Sequence, residues 1–99
     1  MTAQIQLSDG IIRVSGELNA ASVPTLLENA VDLFRQSGQQ LTIDLSEVSR
    51  ADSSGLALMI DWMRTARQQQ KQLSFRRLPT QLLEMARVSG IETLLPMVE

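Results

Sequence analysis

The stretch Ile43–Met63, IDLSEVSRADSSGLALMIDWM, decides how this chain is read. Leu41, Ile43 and Leu45 alternate with Thr42 and Asp44, the pattern of a half-buried strand over Leu41–Leu45. A polar connection follows, and Asp52-Ser53-Ser54-Gly55 then opens a helix that runs from about Ser53 to Gln70. Asp and Ser suit such a place because their side-chain oxygens accept bonds from the free N–H groups of a first helical turn. Gly55 is not explained by capping, since glycine inside a helix costs about 1 kcal/mol against alanine. Close approach of a backbone, from this domain's sheet or from a partner, is a reason to retain it.

Stepping 100° per residue along the helix, Leu56, Met59, Ile60 and Met63 share one face, read as the core face. Leu58 and Trp62 lie on the opposite side, one turn apart. An aromatic anchor on an outer face belongs to interfaces more often than to cores. The reading therefore places a partner-binding surface on Asp52, Ser53, Ser54, Gly55, Leu58 and Trp62. A serine at a helix tip is also well placed to carry a phosphate, because the free N–H groups and the dipole stabilise anions. Capping and switching are compatible roles for Ser53.

Toward the N-terminus, Ile5 and Leu7 alternate with Gln4 and Gln6, Asp9-Gly10 supplies a tight turn, and Ile12 and Val14 resume the alternation. This predicts a β-hairpin, after which Gly16-Glu17-Leu18-Asn19 leaves the sheet. Val23, Leu26, Leu27, Ala30, Val31 and Phe34 then form one helical stripe, with Pro24 in the first turn and Gly38 placed to end it in the left-handed conformation. Toward the C-terminus, Leu73 and Phe75 mark a fourth strand. Thr80 is the expected N-cap of a helix over Gln81–Ser89, Gly90 its C-terminal stop, and Ile91–Met97 an irregular apolar tail. The order is β-β-α-β-α-β-α in a single domain spanning residues 1–99. Strands joined through helices lie parallel with right-handed crossovers. Because the strands alternate, the fold class is α/β with an approximately four-stranded mixed sheet covered by helices mainly on one face, leaving Thr42, Asp44, Ser74 and Arg76 on the wetter side.

The chain has no cysteine and no histidine, which removes disulfides, thiolate metal sites and the common general bases. Its only lysine, Lys71, lies roughly 25 Å along the helix from Ser53, too far for a serine–lysine dyad. No glycine-rich phosphate loop with a lysine and no metal-ligand spacing occurs. No catalytic residue, metal or cofactor is therefore expected. The N-terminal residues do not read as a signal peptide. The longest apolar run, Leu56–Ile60, is far below the ~20 residues of a membrane span, so the expectation is a cytoplasmic domain without membrane insertion. The net charge of −2 hides an asymmetry: residues 1–63 carry three arginines and eight acids, residues 64–87 six basic residues and one acid. Only Phe75 in the basic block could stack on a base, so a solvated face or a patch for an acidic partner is favoured over nucleic acid.

The string Ile43-Asp44-Leu45-Ser46 with Asp52-Ser53-Ser54-Gly55-Leu56, preceded by Ser15-Gly16-Glu17-Leu18, resembles the STAS domain, over nearly the whole chain. In that family the hydroxyl residue after the motif's aspartate is phosphorylated or contacts the partner, and it falls on Ser53. In anti-sigma factor antagonists an anti-sigma kinase phosphorylates it and releases the antagonist. In MlaB-type proteins it belongs to the region that docks on the ATPase of a phospholipid-transporting ABC system maintaining outer-membrane lipid asymmetry. Asn19 departs from the aspartate that both branches often place after Gly-Glu-Leu, so no role is carried onto it. Val48-Ser49-Arg50, Gly55-Leu56-Ala57-Leu58 and Leu94-Leu95-Pro96 look like the MlaB branch, whereas Asp-Ser-Ser-Gly is the antagonists' form. The resemblance thus implies a non-catalytic subunit that binds and stabilises an ABC transporter ATPase, held at the inner membrane through its partner complex. The alternative is an anti-sigma factor antagonist regulated by phosphorylation at Ser53.

Overall fold

Asp9 and Gly10 hold φ values of 54° and 77°, and the turn they make lets β1 (Gln4–Ser8) pair antiparallel with β2 (Ile11–Leu18). The computed structural model describes residues 3–98. After β2 come α1 (Val23–Gln36), β3 (Gln40–Ala51), α2 (Ser53–Gln68), β4 (Gln72–Arg76), α3 (Thr80–Val88), a 3-10 turn at Glu92–Leu94 and β5 (Met97–Val98). The five strands form one sheet in sequence order, parallel from β2 onward. Ile12, Val14 and Leu18, then Leu41, Ile43 and Leu45, then Leu73 and Phe75 are buried in one cluster with residues of all three helices. Arg13, Ser15, Glu17, Thr42 and Ser74 between them are the more exposed set, as a sheet covered on one side requires, and Asp44 is the exception.

Five sequence expectations change. The segment Gly16–Leu18 stays in the sheet, and β3 runs on through Ser46–Ala51 instead of leaving as a polar connection. The two pair in parallel as far as Leu18 and Ala51, with register shifts between Arg13 and Ser15 and between Gly16 and Glu17. At each shift β3 carries one residue more than β2, so its side chains do not alternate strictly. The tail contains a fifth strand, seeded where the Phe75 N–H donates to the Pro96 carbonyl at 2.7 Å. Gly38 is not left-handed. Instead the Ser37 hydroxyl donates to the Leu33 carbonyl at 2.8 Å, and Lys71 Nζ donates to the Ser37 and Gly38 carbonyls at 2.7 and 3.1 Å. Thr80 is the first residue of α3 and not its cap; Pro79 precedes it, and no side chain caps the helix. Gly90 does hold φ +75°, and the Ile91 N–H returns to the Ala86 carbonyl at 2.9 Å.

Asp44 was expected on the wetter face, and the register places it there, but it is only 1% exposed. Arg13 and Arg76 stand on either side of it in neighbouring strands and cover it. Arg76 Nη2 and Nε approach Oδ2 at 2.9 and 3.0 Å, and Arg13 Nη1 lies at 3.5 Å. Burial pushes the carboxyl up. The Ser46 hydroxyl and backbone N–H, the latter at 2.8 Å from Oδ1, together with Arg76 outweigh burial and hold it below its ordinary value.

Candidate functional site

Parallel pairing of β2 and β3 ends where the Asp52 N–H donates to the Leu18 carbonyl at 3.1 Å. The Asp52 backbone is extended, and its Oδ1 accepts the Ser54 N–H at 2.8 Å, so Asp52 is the N-cap of α2. The Gly55 N–H closes the first turn on the Asp52 carbonyl at 2.9 Å. Ser53 is exposed, and its hydroxyl makes no hydrogen bond among the described residues. Ser54 is half-buried. The sequence-read tip Asp52-Ser53-Ser54-Gly55 therefore divides: Asp52 builds it, Ser53 is presented by it, and Gly55 is packed beneath it.

The close approach at Gly55 comes from this domain. A Cβ there would stand 3.2 Å from Leu18 Cβ, 3.2 Å from Leu82 Cδ2 and 3.3 Å from Ala51 Cβ. The glycine lets α2 begin against the ends of both central strands and against α3.

Leu58 and Trp62 are not a surface. Both are fully buried at 0% exposure, and Ile60, read as core, is 39% exposed. The cause is the position of α2, which packs against α1 on one side, α3 on the other and β4 below. Its buried arc is therefore wide and takes in Leu56, Leu58, Met59, Trp62 and Ala66. At 100° per residue this arc is opposite Ser53, Ala57, Ile60 and Arg64. The Trp62 indole Nε1 is buried without a hydrogen-bond partner among the described residues.

The exposed flank of α2 continues into a shallow groove of about 470 Å³ that sequence reasoning missed. Ser53 and Leu56 form one wall, and Gln81, Glu84, Met85 and Val88 of α3 the other. Val88 is 88% exposed, an apolar side chain left open beside the serine. The sequence of α3 does not reveal it, because the groove forms only where α3 packs beside α2.

The basic block seen in the sequence does not make one patch. Lys71 holds the end of α1, and Arg76 pairs with Asp44 on the open sheet face. Arg64 pairs with Asp61 at 3.1 Å, and Arg87 with Glu92 at 3.3 Å.

Comparison with known proteins places this geometry. A family model described as "Mlab, STAS domain" matches residues 1–98. The anti-sigma-B factor antagonist of Listeria monocytogenes is 32% identical over 85 residues, covering 85% of this chain and 74% of that protein. The fold is similar to the anti-sigma factor antagonist SpoIIAA in its unphosphorylated form, with TM-score 0.73 and 18% identity over 99% of this chain and 89% of that one. It is similar also to phosphorylated SpoIIAA from Bacillus, with TM-score 0.68 and 16% identity over 99% and 92%. These findings correct the transporter expectation: relatives similar across most of the chain are named anti-sigma-B factor antagonists, and nothing among these matches points to an ABC transporter. The Leu58 and Trp62 face on which ATPase docking was to rest is also inside the core. The chain belongs to the STAS-domain family.

Proposed function

We propose that this protein is an anti-sigma factor antagonist, a non-catalytic regulator that binds an anti-sigma kinase and is switched by phosphorylation of Ser53. The observation that carries the reading is the exposed serine at the tip of α2, in a chain 32% identical to an anti-sigma-B factor antagonist. The unmodified tip offers a hydroxyl with no partner among the described residues, beside the open apolar side chain of Val88. The contact surface is then Ser53 and Ile60 on α2 with Met85 and Val88 on α3. Asp52 and Ser54 act by shaping the tip, and Gly55 by seating it.

A phosphate would add about −1.5 to −2 charges to a rim that already carries Asp52 and Glu84. A partner surface fitted to a neutral hydroxyl and an apolar wall then meets a doubly charged group that is too costly to bury, and it leaves. No helix among the described residues is long and apolar enough to cross a membrane. A regulator of sigma factors works in the cytoplasm, and that is where we place it. Incubation with the anti-sigma kinase encoded in the same genome and ATP, followed by intact mass, tests the reading. One phosphate that disappears in Ser53→Ala is the expected result; an unchanged wild-type mass contradicts it.

A further inference from the structure

Helix α3 forms one wall of the groove, yet little of its own sequence fixes where its N-terminus sits. It is nine residues long, it starts after Pro79, and no side chain caps it. Two links tie that end to the Ser53 tip. Leu82 packs closely on Gly55, where an added Cβ would stand 3.2 Å from its Cδ2. Next to it, Gln81 Oε1 accepts the Ala51 N–H at 3.0 Å, a bond that joins α3 to the last residue of β3, two residues before Ser53.

The Gln81 bond is unusual in its setting. Leu18 holds the following N–H and Asp52 the Ser54 and Gly55 N–H groups, so the backbone entering α2 is satisfied by its own strand neighbour and its own cap. Ala51 alone in this segment relies on a side chain from another helix. Gln81 is itself exposed and lines the same groove as Ser53. A solvated glutamine is not required there for the core, because Leu82 and Ala86 already bury the inner face of α3.

We infer that Gln81 is a positioning residue for the Ser53 site: its carboxamide sets the spacing between the serine and the apolar wall of Met85 and Val88. A partner that engages both walls needs them at one separation. Without the bond, the N-terminal turn of α3 samples several separations, and the partner meets the cost of selecting one when it binds. The inference rests on the reading of Ser53 as a phosphorylated contact residue.

The test compares wild type with Gln81→Met, which keeps length and loses the acceptor, and Gln81→Glu, which keeps an acceptor for the Ala51 N–H. The readouts are amide exchange at Ala51 and steady-state phosphorylation of Ser53 by the anti-sigma kinase. Gln81→Met is expected to speed Ala51 exchange and raise KM for the protein substrate about fivefold with kcat unchanged, the worth of one hydrogen bond. Gln81→Glu, assayed at about 0.5 M salt so that its added carboxylate is screened from the site, is expected to restore both. Faster Ala51 exchange with an unchanged KM overturns the inference, as does unchanged exchange in Gln81→Met. Equal rises in KM for both variants also overturn it, because they would trace the effect to charge or shape and not to the bond. Absence of phosphate on wild-type Ser53 overturns the functional reading along with it.

Discussion

Trp62 and Ile60 stand two residues apart on α2 and face opposite ways. Trp62 lies among Leu58, Met59 and Ala66 with no exposed surface, whereas Ile60 shares the solvent flank with Ser53 and Ala57. The buried flank is a matter of packing, and its residues can be exchanged only at a cost in stability. The exposed flank is free of that constraint, so an apolar residue there needs another explanation, and its place on the same face of α2 as the exposed Ser53 supplies one. The contrast teaches that a large aromatic residue on an amphipathic helix reports which side has neighbours, not which side has partners.

The strongest way to break this comparison is Trp62→Ala. Removal of a fully buried indole is expected to destabilise the fold by about 3–5 kcal/mol, measured by urea unfolding. A variant that stayed as stable as wild type and lost only partner binding would return Trp62 to the surface. Asp44 sharpens the same contrast on the sheet, where a buried acid lies on the face without helices. Asp44→Asn is expected to cost about 1–2 kcal/mol near neutral pH, below the usual cost of breaking a buried pair because Arg13 and Arg76 both reach solvent. Its carboxyl is held below 3.8 in the fold, so the contribution is complete above about pH 4 and is lost as pH falls through the folded value. The stability gap between wild type and Asp44→Asn should therefore narrow in acid; a gap independent of pH would refute the pairing. The smallest effect on the fold is expected for Ile60→Ser, within about 0.5 kcal/mol. Its effect should fall on the kinase, with affinity several-fold weaker by calorimetry, and equal affinity would remove Ile60 from the contact surface.

Much of this was legible in the sequence for physical reasons. The alternation through Ile5–Leu7 and Ile12–Val14, the Asp9-Gly10 turn and the stripe of α1 are local signals that tertiary structure did not override. The end of α3 at Gly90 was equally local. The rest depended on distant neighbours. Ser46–Ala51 carries no alternation, and only pairing with β2 across two bulges makes it a strand. Met97–Val98 is too short to announce itself, and its pairing with Phe75 and Arg76 makes it β5. The apolar residues of α2 fill more than half its circumference, so periodicity left two candidate faces and could not say that α1 and α3 would cover Trp62. The Asp52–Gly55 tip was found because its chemistry is local, and the groove beside it was missed because half of it comes from α3.

The exposed flank around Ser53 is proposed as a contact surface which a phosphate closes. Calorimetric titration of the anti-sigma kinase with the unmodified protein and with the Ser53-phosphorylated protein tests it most directly. A phosphate beside Asp52 and Glu84 is expected to weaken binding at least about tenfold, or 1.4 kcal/mol. Equal affinity for the two forms would contradict the account.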